Sequence, residues 1–349
     1  MSTKSPHKRR VRYRGTHPRR FEEKYKEHDP ARYAADVEKI VAGGKTPAGT
    51  HRPVCVREIV EILDPKPGQI AVDATLGYGG HALELLRAIL PGGRLYGLDV
   101  DPIELPRTEA RLRGAGFPAE ALVVRRMNFA GLPKLLAAEN HTGVDLILAD
   151  LGLSSTQIDN PARGFTFKVE GPLDLRMNPE RGQPASALLT KLDSAALIVL
   201  LEENADEPFA AAISRAIDRT QARGSIVTTT GLAAAVRSAF PATTNQHSRE
   251  QVEGSVRRVF QALRIAVNDE FGALEAFLRN LPFCLKPGGR VAVLTFHSGE
   301  DRRVKKAFQA GERNGVYARV ARDVIRPTPE EVHSNPRASS AKLRWAVRA

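Results

Sequence analysis

Three aspartates close three short apolar runs: Asp73 ends Gln69–Asp73, Asp99 ends Arg94–Asp99, and Asp150 ends Val144–Asp150. Between the first two lies a glycine-rich turn, Leu76-Gly77-Tyr78-Gly79-Gly80. Glycines there let the backbone approach a nucleotide-like ligand and leave helix N-terminal amides free. Gly77-x-Gly79-x-x-Ala82 loosely fits a dinucleotide fingerprint, yet in that pattern the glycines follow the strand directly. Here Asp73 ends the strand four residues ahead of Gly77. An acid at that place suits a cofactor bearing an ammonium group and a sulfonium, as S-adenosyl-L-methionine does. Asp99 stands 22 residues after Gly77, where an acid accepts from ribose hydroxyls. Asp101, two residues on, reads as a solvated loop acid.

Asp150 opens the segment Asp150-Leu151-Gly152-Leu153-Ser154-Ser155. An exocyclic amine of cytosine is a poor nucleophile because its lone pair is delocalised into the ring. A carboxylate accepting from that N–H favours the lone pair oriented for attack on a methyl group. Asp150 suits that catalytic task or cofactor binding, and both readings stay open. His297, in Thr295-Phe296-His297-Ser298, is a candidate base or a contact to the target nucleotide. Ser298-x-x-Asp301 has the form of a capping box, and helix capping is the favoured reading there. Arg257, Gln261, Arg264 and Asn268 line one margin of an apolar stripe, where they would grip RNA or simply face water.

The elements that must position these residues follow from periodicity. After Gln69–Asp73, His81–Leu90 reads as a helix stopped by Pro91-Gly92-Gly93, and Arg94–Asp99 as a strand. A helix over Pro102–Arg113, a strand near Leu122–Val124, a helix near Leu132–Glu139 and the strand Val144–Asp150 come next. Strands alternating with helices at this spacing mean a parallel α/β sheet, and ligands bind beyond its strand C-termini. From about Gly152 to Gln251 the signals turn helical, with Thr230 as cap of a helix over Gly231–Phe240. A long amphipathic helix is expected over Val256–Leu281, then the strand Arg290–Phe296 and a final strand Lys342–Val347.

Composition bounds the setting. The formal charge of +12 is concentrated: Met1–Arg20 holds eight of the 52 Lys and Arg residues and no acid, leaving 44 against 40 Asp and Glu. Such an arm reads as disordered and drawn to the phosphates of RNA, with a solubilising or targeting extension as the alternative. Cys55 and Cys284 lie far apart, so no metal site is expected, and a reduced, cytoplasmic setting is the simplest reading. No run reaches the roughly 20 apolar residues a membrane span needs.

Longer motifs add a resemblance. His51-Arg52-Pro53-Val54, Asp73 to His81, Leu148 to Asp159, Arg163-Gly164-Phe165-Thr166-Phe167, Gly171 to Met177, Phe260 to Ile265, Phe296 to Arg302 and Asn335 to Arg344 together resemble the ribosomal RNA small-subunit methyltransferase H (RsmH, MraW) family. The resemblance runs in order from about His51 to the C-terminus. It implies N4-methylation of a cytidine in the decoding region of 16S rRNA, with S-adenosyl-L-methionine as donor. It also implies a Rossmann-like methyltransferase sheet with an inserted helical domain. The divisions expected are a basic arm over 1–45, the Rossmann-like domain over 46–152 and 252–349, and a helical substrate-recognition insertion over 153–251. Carried over by position, the cofactor contacts are Gly79, Gly80, His81, Asp99, Phe129, Asp150 and Gln157. The expected partner is 16S rRNA in the small ribosomal subunit, with a homodimer as candidate assembly.

Three places depart from the family pattern. Gly299 stands where the family usually has leucine, Asn204-Ala205-Asp206-Glu207 replaces a usual Gly-Glu-Glu segment, and the basic arm lies outside it. Competing readings are an RNA-binding factor on a methyltransferase scaffold, an amino-methyltransferase of DNA or protein glutamine, and a nicotinamide oxidoreductase. The second would bring a Pro-Pro-Tyr-like run after the fourth-strand acid, where this chain has Leu151-Gly152-Leu153.

Overall fold

Apolar runs that end in acids become the centre of a seven-stranded sheet in the computed structural model. The structure describes Tyr25, residues 53–240 and residues 248–349. Apart from Tyr25, the basic arm lies outside the described residues, as do His51 and Arg52 of the first motif. The sheet is built from β1 (Ile70–Asp73), β2 (Arg94–Asp99), β3 (Leu122–Arg126), β4 (Val144–Asp150), β5 (Leu285–Thr295), β6 (Tyr317–Val320) and β7 (Lys342–Arg348). Their order is β3-β2-β1-β4-β5-β7-β6. β1 to β5 run parallel, and β7 lies antiparallel between β5 and β6. The chain winds outward through β2 and β3, then returns to set β4 beside β1. That reversal opens a crevice beyond the C-terminal ends of β1 and β4, where open α/β sheets bind ligands.

β4 shows why the sheet is central: Leu146 to Ala149 are all buried. Ile147 and Ala149 pack on one face with α4 (Leu132–Ala138), α11 (Glu270–Cys284) and α12 (Ser298–Arg313). Leu146 and Leu148 pack on the other with α1 (Val56–Leu63), α2 (Gly80–Ile89) and α3 (Leu105–Gly114). Strands covered on both faces lose the polar alternation of a half-exposed sheet, as their near-continuous apolar sequence requires.

Between β4 and β5 the chain is helical: α5 (Ser155–Asp159), α6 (Ala185–Lys191), α7 (Ser194–Ala205), α8 (Ala210–Gln221), α9 (Thr229–Arg237) and α10 (Arg249–Asn268). Residues from Phe165 to Leu263 build a third core there. A short helix, α13 (Pro329–Ser334), precedes β7.

Three local expectations need correction. The helix expected over Val256–Leu281 is two helices, α10 and α11, parted at Asp269, whose φ of 49° is left-handed. The break falls where the chain leaves the helical core for the sheet core, and the apolar stripe runs through it unbroken. Thr228, not Thr230, caps α9, accepting from the Gly231 N–H at 3.1 Å. The cap of α12 is His297 rather than Ser298, its Nδ1 accepting from the Glu300 N–H at 3.4 Å. Asp301 instead accepts from Arg344 Nε at 2.6 Å.

Candidate active site

Asp73 and Asp150 end adjacent parallel strands; Asp73 pairs with Leu148, so Asp150 stands two residues further along at the same end of the sheet. The loop after β1 is stitched down across it. The Asp150 N–H donates to Thr75 Oγ1 at 2.6 Å, and the Gly77 N–H donates to Asp99 Oδ2 at 2.8 Å. Gly79, with φ of 79°, then turns the chain into α2. A Cβ on Gly80 would lie 2.9 Å from Pro53 Cγ, so this position has no room for a side chain.

His81, in the first turn of α2, is buried, with Nε2 3.5 Å from Asp150 Oδ2. Burial pulls its pKa down, but the nearby carboxylate of Asp150, joined by Asp73, outweighs that and raises it. Asp73 is buried at 2% exposure, and burial pushes its carboxyl up to about 7 despite the opposing pull of His81. Burial also raises Asp99, although the N–H groups of Asp101 and Gly77 pull the other way. Asp150 Oδ1 and His81 Nε2 are buried polar atoms without a hydrogen-bond partner among the described residues. Such atoms are costly unless something else satisfies them.

Phe129 follows β3 at the start of a 3₁₀ turn, its ring edge-on to Phe277 at 5.1 Å between centroids. Gln157 is buried in α5, where its Oε1 accepts from the Ser154 N–H at 2.9 Å and its Nε2 donates to Asp101 Oδ2 at 2.7 Å. Asp101 is therefore no solvated acid: it is fully buried and also receives Arg163 Nη1 at 2.7 Å. Sequence reasoning missed this pair, and no local signal marked it.

His297 is largely buried and engaged with Glu300: besides the capping contact, its Nε2 stands 3.2 Å from Glu300 Oε1. The margin of α10 is mostly tied into the fold rather than free to grip RNA. Arg264 pairs with Glu270 at 2.7 and 2.8 Å, Asn268 bonds Leu175 O and the Met177 N–H, and Gln261 Nε2 donates to Asn204 O at 3.4 Å. Arg257 is exposed.

Residues 48–349 match the family described as the MraW methylase family. The chain belongs to that family. Among curated relatives, it is 53% identical over 342 residues to "Ribosomal RNA small subunit methyltransferase H 2" of Alkaliphilus metalliredigens, covering 98% of this chain and 97% of that one. It is 50% identical over 344 residues to the H 1 protein of Lachnoclostridium phytofermentans, covering 98% and 93%, and 47% identical over 350 residues to that of Agathobacter rectalis, covering 100% of each. Alignments of that length take in the N-terminal arm. The arm thus lies outside the family match yet is shared with these relatives.

The MraW methylase fold is Rossmann-like, and the methyl donor is S-adenosyl-L-methionine. The crevice fits that donor on its own terms. It offers a buried carboxylate at Asp73 and a half-buried one at Asp150 for cationic groups, and a turn whose Gly79 and Gly80 carry no side chains.

Two departures from the family pattern now have a physical setting. A Cβ on Gly299 would lie 2.7 Å from Phe271 Cζ, and the guanidinium of Arg303 stacks 3.5 Å from the centroid of that ring. Asp206 ends α7 in the left-handed region and accepts from Ser298 Oγ at 3.3 Å and Arg302 Nη2 at 3.2 Å. Buried Glu207 holds Ser255 Oγ at 3.0 Å and Arg258 Nε at 2.8 Å.

Proposed function

We propose that this protein transfers a methyl group from S-adenosyl-L-methionine to the N4 amine of a cytidine in the decoding region of 16S rRNA within the small ribosomal subunit. The observation that carries the chemistry is Asp150: a carboxylate at the β1–β4 switch with a buried oxygen that lacks a hydrogen-bond partner among the described residues. The donor, when bound, supplies an electrophilic methyl group. Asp99 accepts from the ribose hydroxyls, while its two oxygens are held by the N–H groups of Gly77 and Asp101. Gly79 and Gly80 admit the donor's backbone-facing side, and Phe129 flanks the adenine. His81 steadies Asp150 from below. Asp150 accepts from the cytosine N4–H, which turns the nitrogen lone pair toward the methyl group.

Gln157 serves the donor site through its place beside Asp101, and His297 holds the start of α12 rather than acting as a base. The helical cluster between β4 and β5 recognises the substrate, within the division 46–152 and 252–349 against 153–251. Relatives named for small-subunit rRNA support the substrate. No helix among the described residues is long and apolar enough to cross a membrane, in keeping with a cytoplasmic place of work. A homodimer remains the candidate assembly.

The test uses 30S subunits lacking the modification, labelled donor and mapping of the labelled nucleotide. A single labelled cytidine at N4 is expected. Label on another base, or on protein, would refute the reading. Asp150→Asn should keep the fold and lower turnover by about 100-fold, within the range of acid–base and electrostatic contributions.

A further inference from the structure

Asp101 carries no role in the reaction so far, yet it is the most heavily engaged acid beside the crevice. Its Oδ1 accepts from the N–H groups of Ile103 at 2.8 Å and Glu104 at 3.2 Å. Its Oδ2 accepts from Gln157 Nε2 and Arg163 Nη1, both at 2.7 Å. Its own N–H donates to Asp99 Oδ1 at 2.9 Å. One residue therefore touches the acid at the end of β2 and the helix that follows β4. Arg163, itself 5% exposed, continues outward through Nη2 to Met177 O at 2.8 Å and Arg176 O at 3.3 Å.

A buried ion pair of this kind gains little stability over apolar side chains of similar volume, because both charges lose their hydration. What it does supply is geometry: a planar guanidinium and a carboxylate with every oxygen engaged allow one arrangement of the segments they join. Those segments are the two walls of the donor crevice.

We propose that the Asp101–Arg163 pair is a positioning unit for the donor site, fixing the Asp99 turn against the segment that follows α5, with Gln157 tying in α5 itself, so that the ribose side of the crevice is formed before the donor enters. This rests on Asp99 being the ribose acceptor.

The experiment is calorimetric titration of full-length protein with S-adenosyl-L-methionine, together with steady-state kinetics on unmethylated 30S subunits. Three proteins are compared: wild type, Asp99→Ala, and the double variant Asp101→Asn/Arg163→Met, which removes the pair without stranding a charge. The double variant should bind the donor about tenfold or more weakly, as displaced positioning groups do. Its donor KM should rise while kcat at saturating donor and the KM for subunits hold within about threefold, a split that general loosening of the fold does not produce. A folded double variant with wild-type donor affinity would overturn the inference, as would a matched rise in both KM values. If the double variant does not fold, Asp101→Glu decides. It keeps the charge and shifts the carboxylate by one methylene, so donor affinity should again fall about fivefold or more, and unchanged affinity overturns the inference. Asp99→Ala separates the two readings: wild-type affinity in that variant removes the ribose assignment itself.

Discussion

Asp73 gives the donor site a pH dependence with a definite sign. Burial raises its carboxyl from 3.8 to about 7, so the folded protein favours the protonated form. The stability contributed by that preference is complete below the unfolded value and lost as pH rises through 7. A cationic ligand reverses the preference, since it favours the ionised acid and expels the proton. Donor binding should therefore be about tenfold weaker at pH 6 than at pH 8, and Asp73→Asn should flatten the profile. Calorimetry at the two pH values checks both, and a flat wild-type profile rules the coupling out. Asp99→Ala should cost about one to two powers of ten in donor affinity, the worth of ~1.5–3 kcal/mol of charge-assisted bonding. Asp73, Asp99 and Asp150 were legible in sequence because each ends an apolar run, and strand ends face the crevice. Asp101 was not: its burial depends on Gln157 and Arg163, 56 and 62 residues further along, which no local pattern reports.

At the scale of elements, the segment ending α7 offers a contrast in magnitudes. Glu207 is a fully buried partner of Arg258 and Ser255, and Glu207→Ala leaves that guanidinium unmatched. A loss of about 1.5–3 kcal/mol is expected, the worth of hydrogen bonds to a charged group, since Arg258 is partly exposed and keeps its bond to Ser255 Oγ. Asp206 meets Arg302 on the surface, both more than half exposed, and Asp206→Ala should cost no more than about 1 kcal/mol. Chemical denaturation of the two variants tests the ordering, and equal losses would contradict it. The strands β2 and β4 were read to the residue, since a buried parallel strand is a dense apolar run with sharp ends. The α10–α11 break was hidden because Val267, Phe271 and Leu274 keep helical spacing across Asp269. β6 went unread because Tyr317–Val320 is four residues long with two of them exposed.

For the whole molecule, charge distribution sets the long-range behaviour. Eight basic residues and no acid precede Phe21, while every proposed donor contact lies at Asp73 or beyond. Deleting Met1–Arg20 should leave donor affinity unchanged and weaken binding to the subunit. If about three of the charges meet phosphates, the slope of log affinity against log salt falls by roughly two to three. Equal slopes for the two proteins would return the arm to a solubilising or targeting role. The fold has its own long-range feature: β4 and β5 are neighbours in the sheet, yet the whole helical cluster is spelled out between them. During synthesis, β4 emerges with one edge unpaired and must wait for about 135 residues before its partner begins. At roughly 5–20 residues per second, that wait is about seven to thirty seconds. An enzyme that methylates ribosomal RNA would thus spend its own birth on a ribosome as an unfinished sheet, its most apolar strand bare on one side and in need of shelter until the partner arrives.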